Sequence, residues 1–405
     1  MKSYKSYNLF TFFTLYIAQS IPMSFFATAL PVLMRQGDYS LTAIALLKLI
    51  KLPWIIKFLW SPLVDNKTDT VHDYKKWIIG SEIVYAVIIF VVAMLNLETN
   101  FTLIIVLIIL AFISSATQDI ATDAMAARSF ERKDFSLLNS IQSMGAFTGS
   151  MVGGGFLLLL FKTVGWESLL PWVAIFVLVA LIPLGLNKRI KLRERKNKQK
   201  AKPKDMLLFF KQKRIGGHIL FLTLFYAGLI GVLSSLSPFL VDLGYGITEI
   251  GAMVGIFGIS TGIFCSYVTG VFVRKVGKSL ARKIAATLVL FPASYFLWLQ
   301  LSGNTNHVFI MIGIAMVWGI YGMTSTIINT SAMDIVRDGR EGTDFTIQIV
   351  IVHLNAMIIA LICARLGDSF GYATLFAAEL AVAIISFLYV LKYTPYYSNT
   401  EIQPL

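Results

Sequence analysis

Two carboxylates, Asp119 and Asp123, stand one helical turn apart near the end of an apolar run that begins at Phe101. The i, i+4 spacing puts both on one face of a helix. A carboxylate at membrane depth is costly, and it faces a bundle interior, a wet cavity or a partner charge. Residues so placed bind protons, ions or polar solutes, so this face is a candidate proton-coupling or translocation surface. Gln118 stands beside Asp119, turned about 100° around the axis. The plainer alternative is a structural charge pair, with Asp123 near enough to the end of the run to be hydrated.

Basic residues supply the opposite charge. Lys48, Lys51 and Lys57 fall within a second apolar run at about 42–63. That run and the run of Asp119 cross in the same direction. Lys57 lies about six residues from the end of its run and Asp119 about eight from the end of its own, so their depths agree to about 3 Å. A Lys57–Asp119 or Lys57–Asp123 ion pair would reduce the burial cost of both groups. Lys48 and Lys51 have no evident acidic partner. They would attract an anionic solute or reach toward headgroups with their charged ends.

Further polar candidates are single residues. Tyr16, Gln19 and Ser20 precede Pro22. Proline removes a backbone donor and can leave carbonyls facing a cavity, which makes Gln19 a candidate solute contact. Thr326, Asn329, Thr330 and Ser331 form a polar but neutral face in the second half, with Asn329 a candidate contact. His353 is another, and Glu379 is a further intramembrane acid; a lone buried polar group of this kind also serves as a hydrogen-bonded structural residue.

Some chemistry is excluded. Gly258-Ile-Ser-Thr-Gly262 matches the nucleophile pattern G-x-S-x-G, but it lies inside an apolar span rather than at a strand-to-helix elbow. The four histidines, His72, His218, His307 and His353, have no metal-ligand spacing. No phosphate-binding Gly-Lys-Ser/Thr loop is present. An enzyme, a cofactor and a bound metal are therefore not expected. The expected partners are a small organic solute, protons and the lipid bilayer.

The elements that position these residues are membrane helices. The 405 residues are 57% hydrophobic and 14% charged, too apolar for a soluble enzyme of this length. Apolar runs of roughly 18–27 residues fit helices crossing a hydrocarbon core of about 30 Å. The strict alternation of a membrane β-barrel is missing. Cys265 and Cys363 both lie inside apolar runs, so no disulfide framework is expected. The basic start, Met1 to Tyr7, leads into a retained first span rather than a cleaved signal.

Counting runs predicts an all-α membrane protein of twelve transmembrane helices. The first six lie at about 8–34, 42–63, 77–96, 101–127, 136–161 and 167–186. The second six lie at about 216–243, 247–273, 281–302, 307–333, 345–366 and 371–391. The division is 1–186 as an N-terminal six-helix bundle, 187–215 as a basic linker, 216–391 as a C-terminal six-helix bundle and 392–405 as a tail. The formal charge of +13 does not indicate nucleic acid, because thirteen Lys and Arg fall between Lys188 and Arg214, flanked by apolar spans. Lys67, Lys75, Lys76, Arg128, Arg132, Lys133, Arg274, Lys275, Lys278, Arg337 and Arg340 lie on the same side. The opposite side has little beyond Arg35, Lys162 and Arg365. The positive-inside rule places the basic loops and both termini in the cytoplasm.

The halves echo each other. Ala124-Met, Arg128 and Asp134-Phe-Ser136 follow the fourth span; Ala332-Met, Arg337 and Asp344-Phe-Thr346 follow the tenth. Such pseudo-symmetry resembles the major facilitator fold, which implies a midplane site between two rocking halves. Gly145, Gly149 and Gly153 on the fifth span, and Gly251, Gly255, Gly258 and Gly262 on the eighth, let backbones approach closely. They fit either a sliding contact between the halves or tight packing within one half.

Two segments are similar to AmpG-type muropeptide permeases and their acetyl-CoA transporter relatives. These are Lys57-Phe-Leu-Trp-Ser-Pro-Leu-Val-Asp65 and Ser115-Ala-Thr-Gln-Asp-Ile-Ala-Thr-Asp-Ala124. The similarity implies functional positions at Lys57, Asp65, Gln118, Asp119 and Asp123. Ala29-Leu-Pro-Val-Leu-Met-Arg-Gln36, Leu52-Pro-Trp54 and Gly339-Arg-Glu-Gly-Thr-Asp-Phe-Thr-Ile-Gln348 instead resemble RhtX/FptX-type siderophore permeases. The facilitator loop motif G-x-x-x-D-R-x-G-R/K is degraded after the second span, where Asp65 remains as the gating-loop residue but Asn66 and Thr68 replace Arg and Gly. The expected function is proton-linked import of an anionic solute such as a siderophore across the cytoplasmic membrane, with a muropeptide as the alternative cargo and an exporter or a non-transporting membrane sensor or enzyme as the remaining readings.

Overall fold

A computed structural model describes residues 2–36, 50–96, 99–195 and 200–393. Lys48, the start of the second apolar run and residues 394–405 lie outside the described residues. The described residues are mostly helical, apart from short connections and the linker at 187–195 and 200–203. Ten helices among the described residues are long and apolar enough to cross a membrane. One of them, Glu341–Lys392, turns at Gly371, where φ is +79° and L side chains are disfavoured. Its two arms correspond to the last two apolar runs.

The chain forms two compact units. The first comprises 1–131, 145–206 and 337–346; the second comprises 132–144, 207–336 and 347–405. Thus a short piece of each sequence half folds with the other half's unit.

In the first unit, the helix Phe101–Ser129 packs along Val71–Ala93, which in turn packs along Trp166–Ala180. The buried stripe of Val71–Ala93 (Ile78, Glu82, Tyr85, Ala86, Ile89) recurs every three or four residues, the period of one helical face. Phe25, Phe26, Phe112 and Trp166 close the core. Their ring centroids lie 5.9–6.4 Å apart in the Phe26–Trp166, Phe25–Trp166 and Phe26–Phe112 pairs, within the favourable aromatic range. The Trp166 indole donates to the Val92 carbonyl at 3.1 Å, so its one polar atom is satisfied.

The outward faces of the same helices are also apolar. Val87 is 55% exposed, Phe90 48% and Leu110 47%. A surface of this kind would aggregate in water, and it suits contact with lipid.

In the first helix, Lys2–Gln36, Tyr16, Ser20 and Ile21 face the fifth-span glycines. A Cβ on Gly145 would stand 2.6 Å from the Tyr16 Cβ, one on Gly149 2.3 Å from the Ser20 Cβ, and one on Gly153 2.2 Å from the Ile21 carbonyl oxygen. This stripe therefore serves packing within one unit. In the second unit, Gly258 abuts Trp318 and Gly322 abuts the Gly262 carbonyl, which joins Ile259–Val276 to His307–Asp334. Gly251 and Gly255 have open space. The fifth and eighth spans meet at a different glycine: Gly270 abuts Ser140, and its carbonyl accepts from the Ser136 hydroxyl at 3.0 Å.

Candidate functional site

The 29-residue helix Phe101–Ser129 changes character along its length. Its first half is Leu/Ile-rich, and its second half is a run of small and polar residues that is almost wholly buried. Small side chains let neighbouring helices approach, and that approach buries Asp119 and Asp123. Asp119 is 4% exposed and Asp123 2%.

Each carboxylate has donors from other elements. Lys57 is 1% exposed and forms an ion pair with Asp119 through Nζ and Oδ2. The other Asp119 oxygen accepts from Gln19 Nε2 at 2.9 Å. Asp123 Oδ1 accepts from the Tyr16 hydroxyl at 2.8 Å. Tyr16 and Gln19 lie three residues apart on the first helix, matching the four-residue step between the acids on theirs, so two helical faces meet donor to acceptor. Lys57 begins a short 3-10 turn, Lys57–Leu59, that follows the five-residue helix Leu52–Ile56. Its ammonium also lies 4.9 Å from the centre of the Trp54 ring, a cation–π distance.

The first unit thus gathers Lys57, Asp119, Asp123 and Gln19 around one buried polar centre. Such an arrangement can hold a proton or bind a polar group, because a change in charge at any member alters the balance for the rest. Gln118 is fully buried on the adjacent face, and neither of its amide atoms has a partner. Lys51 is exposed. Asn329, partly buried, and His353, exposed, belong to the second unit.

Asp65 lies outside the candidate spans, in the turn Ser61–Asn66. Its Oδ1 accepts from the Gly342 N–H at 2.9 Å, and its Oδ2 accepts from the Thr343 N–H and hydroxyl at 2.7 and 2.6 Å. It therefore caps the start of the helix Glu341–Lys392, where free N–H groups and the helix dipole favour negative charge. Burial and the neighbouring Glu341 carboxylate nevertheless raise its pKa to about 7, against the opposing pull of those hydrogen bonds. Arg195 of the basic linker bridges this region, donating to Glu341 at 3.1 Å and Asp69 at 3.0 Å. Arg340 pairs with Asp205 at 2.5 Å. The linker is thus fastened to the first unit at Arg195 and Asp205.

Three features escape the sequence reading. Tyr16 is a direct partner of Asp123, and its three-residue step to Gln19 was the available signal. Thr343 supplies two of the bonds to Asp65, across 278 positions of chain that no local pattern spans. Glu82, fully buried in Val71–Ala93, is a lone acid in an apolar run and carries the same signal that marks Asp119. Glu379 is satisfied internally, accepting from the Gly231 N–H at 3.2 Å and the Cys363 thiol at 2.8 Å.

Comparison with known proteins agrees with this architecture. The chain is 27% identical over 320 residues to "Putative transporter AmpG 4" of Rickettsia conorii, covering 74% of this chain and 75% of that one. It is 21% identical over 380 residues to "Anhydromuropeptide permease" of Escherichia coli K12, covering 92% and 77%. Among solved structures, the human organic anion transporter MFSD10 superimposes with a TM-score of 0.72 at 14% identity, covering 95% of this chain and 99% of that one. The Escherichia coli fucose:proton symporter FucP gives 0.70 at 12% identity, covering 96% and 98%. The profile of the Major Facilitator Superfamily matches residues 9–358, most of the chain. With helices of spanning length, lipid-suited outer faces and a match of this extent, the chain belongs to the Major Facilitator Superfamily and is a multi-pass membrane transporter, not an enzyme.

Proposed function

We propose that this transporter is a proton-linked permease importing an anionic cell-wall fragment of the muropeptide class across the cytoplasmic membrane by alternating access. The observation that carries the reading is the buried Lys57–Asp119–Gln19 and Asp123–Tyr16 centre. In this proposal Asp119 or Asp123 takes up a proton, Lys57 is released to an anionic group of the cargo, and the change in charge biases one conformation. A proton or cargo shifts such an equilibrium only through unequal affinity for the two states. Gln19, Lys48, Lys51, Asn329 and His353 are the proposed cargo contacts, and Asp65 the gating residue. The proposed frame is twelve spans in two six-helix halves, 1–186 and 216–391, with the 187–215 linker, the 392–405 tail and both termini cytoplasmic.

The relatives' names support a muropeptide over a siderophore, because the Escherichia coli relative is named as an anhydromuropeptide permease. Segments such as Gly339–Gln348 keep a siderophore as the second reading. Purified protein in proteoliposomes, given labelled anhydromuropeptide or ferric siderophore under an imposed proton gradient, separates the two. The expected result is concentrative uptake of the muropeptide that collapses with the gradient and is lost in Asp119→Asn. Gradient-sensitive uptake that survives in both Asp119→Asn and Asp123→Asn removes the coupling assignment.

A further inference from the structure

Glu82 lies within an apolar helix, fully buried, and among the described residues neither of its carboxyl oxygens has a hydrogen-bond partner. An ionised carboxylate in that position is among the most costly groups a membrane helix can bury. Four neighbours share its condition. Tyr85 on the same helix, and Ser115, Gln118 and Thr122 on Phe101–Ser129, are buried, with seven orphaned polar atoms among the five residues.

The register between the two antiparallel helices sets which of these residues stand level with each other. Tyr85 faces Ser115 across the two helices. Stepping back three residues on one helix and forward three on the other sets Glu82 level with Gln118. One turn further, Thr122 falls level with Ile78. Ser115, Gln118 and Thr122 share one face, and Gln118 is turned about 100° from Asp119. The seam therefore flanks the Lys57–Asp119 centre on the adjoining face of the same helix.

A carboxylate and an amide set level with each other are poorly matched. The amide N–H can donate to the carboxylate, but the amide oxygen then has no donor. A carboxylic acid matches fully: its O–H donates to Gln118 Oε1 while its carbonyl oxygen accepts from Gln118 Nε2. One added proton thus satisfies four of the seven orphaned atoms.

No cation pairs with Glu82 among the described residues. The titratable groups on the two helices that cover it are few. On Phe101–Ser129, Asp119 and Asp123 are engaged by Lys57 and Tyr16, and Arg128 lies over the Tyr74 ring nearer the helix end. On Trp166–Ala180 the one acid is Glu167, beside the Trp166 that bonds Val92, ten residues or about 15 Å along the helix from Glu82. On its own helix the near titratable neighbour is Tyr85, with His72, Asp73, Tyr74, Lys75 and Lys76 toward the far end.

We propose that Glu82 and Gln118 form a second proton-binding site, in which Glu82 holds a proton as a neutral acid paired to the Gln118 amide. The site rests on the proton-linked reading for its role in transport, but not for its existence. Glu82 has no charged partner to displace, so it exchanges its proton without breaking an ion pair, unlike Asp119.

Infrared difference spectroscopy on the full chain in lipid nanodiscs tests this without any cargo. The wild type is expected to show a protonated-carboxyl C=O band at neutral pH that Glu82→Gln removes and Asp119→Asn retains. Gln118→Leu should shift that band by removing its hydrogen bonds. Should Glu82→Gln fail to fold, Glu82→Asp should move the band rather than leave it in place. A wild type without the band, or a band unchanged in the Glu82 variants, overturns the site. Loss of the band on adding Na+ at fixed pH and ionic strength assigns the seam to a metal cation and overturns the proton. If uptake assays show no proton linkage while the band behaves as expected, the coupling role fails and the site stands.

Discussion

Replacing Lys57 with Met removes a charge while keeping a long flexible side chain, and it leaves Asp119 buried beside Gln19 alone. The pair is secluded, with side-chain exposures of 2% for Lys57 and 5% for Asp119. Removing one partner of a buried pair costs about 3–5 kcal/mol, because the other charge loses its compensation. Loss of the Trp54 cation–π contact adds about 1 kcal/mol. In a chain of this length the expected fall in unfolding midpoint is roughly 5–10 °C, measured in detergent at neutral pH. The sign of the second substitution is the sharper test. Adding Asp119→Asn removes the stranded charge and retains a side chain that can bond Gln19, so Lys57→Met/Asp119→Asn should recover most of the loss. A single variant as stable as the wild type, or a double variant no better than the single, would refute the reading of Lys57 as the counter-charge that allows Asp119 to be buried.

Three further outcomes follow from the same geometry. Tyr16→Phe deletes the 2.8 Å bond to the buried Asp123 carboxylate, so it should cost about 1–3 kcal/mol and slow uptake; unchanged stability and transport would separate Tyr16 from the site. Gly149→Ala drives a methyl to 2.3 Å of the Ser20 Cβ and should destabilise by about 1–3 kcal/mol, whereas Gly80→Ala, in open space, should gain up to about 1 kcal/mol. Thermal midpoints of the two variants moving together would contradict the packing. The folded chain holds the Asp65 proton up to about pH 7, above the ordinary carboxylate value of 3.8, so the Asp65 contribution is fully present below about pH 4 and declines as pH rises to 7. The unfolding free energy should therefore fall over that window by at most about 4 kcal/mol more in the wild type than in Asp65→Asn, and parallel pH profiles would rule this out.

The sequence made some of this legible for a definite physical reason. A charge inside an apolar run is expensive wherever it occurs, so Asp119 and Lys57 are conspicuous without a structure. The fixed helical rise then converts residue counts into depths, which is enough to suggest that they meet. The same cost marks Glu82 as it marks Glu379, but nothing in the local pattern of its helix supplies Glu82 with a partner. The fifth-span glycines show the opposite limit. Their spacing guarantees a close approach and says nothing about which helix approaches. The partner proved to be the first helix, at Tyr16, Ser20 and Ile21. Asp65 shows a third limit, since its contact with Gly342 and Thr343 depends on tertiary placement alone.

The polar residues of the two units are used differently, and this bears on where coupling can reside. In the second unit, the Thr326 and Thr330 hydroxyls bond back to the Gly322 and Thr326 carbonyls of their own helix, and Glu379 is tied to Gly231 and Cys363. Hydroxyls bonded within one helix satisfy themselves without a neighbour and carry no charge that could change during a cycle. In the first unit, Asp119, Asp123 and Lys57 are bound to other elements, so a proton gained or lost at one of them changes what holds those elements together. A transport cycle needs a charge change that is felt between packed elements. In the second unit the charged pairs between elements, Lys278–Asp334 and Arg274–Asp134, lie at helix ends; within the apolar spans that property falls on the Phe101–Ser129 helix, which is why neutral substitutions there should disturb coupling, while Thr326→Val or Thr330→Val should disturb little beyond local packing.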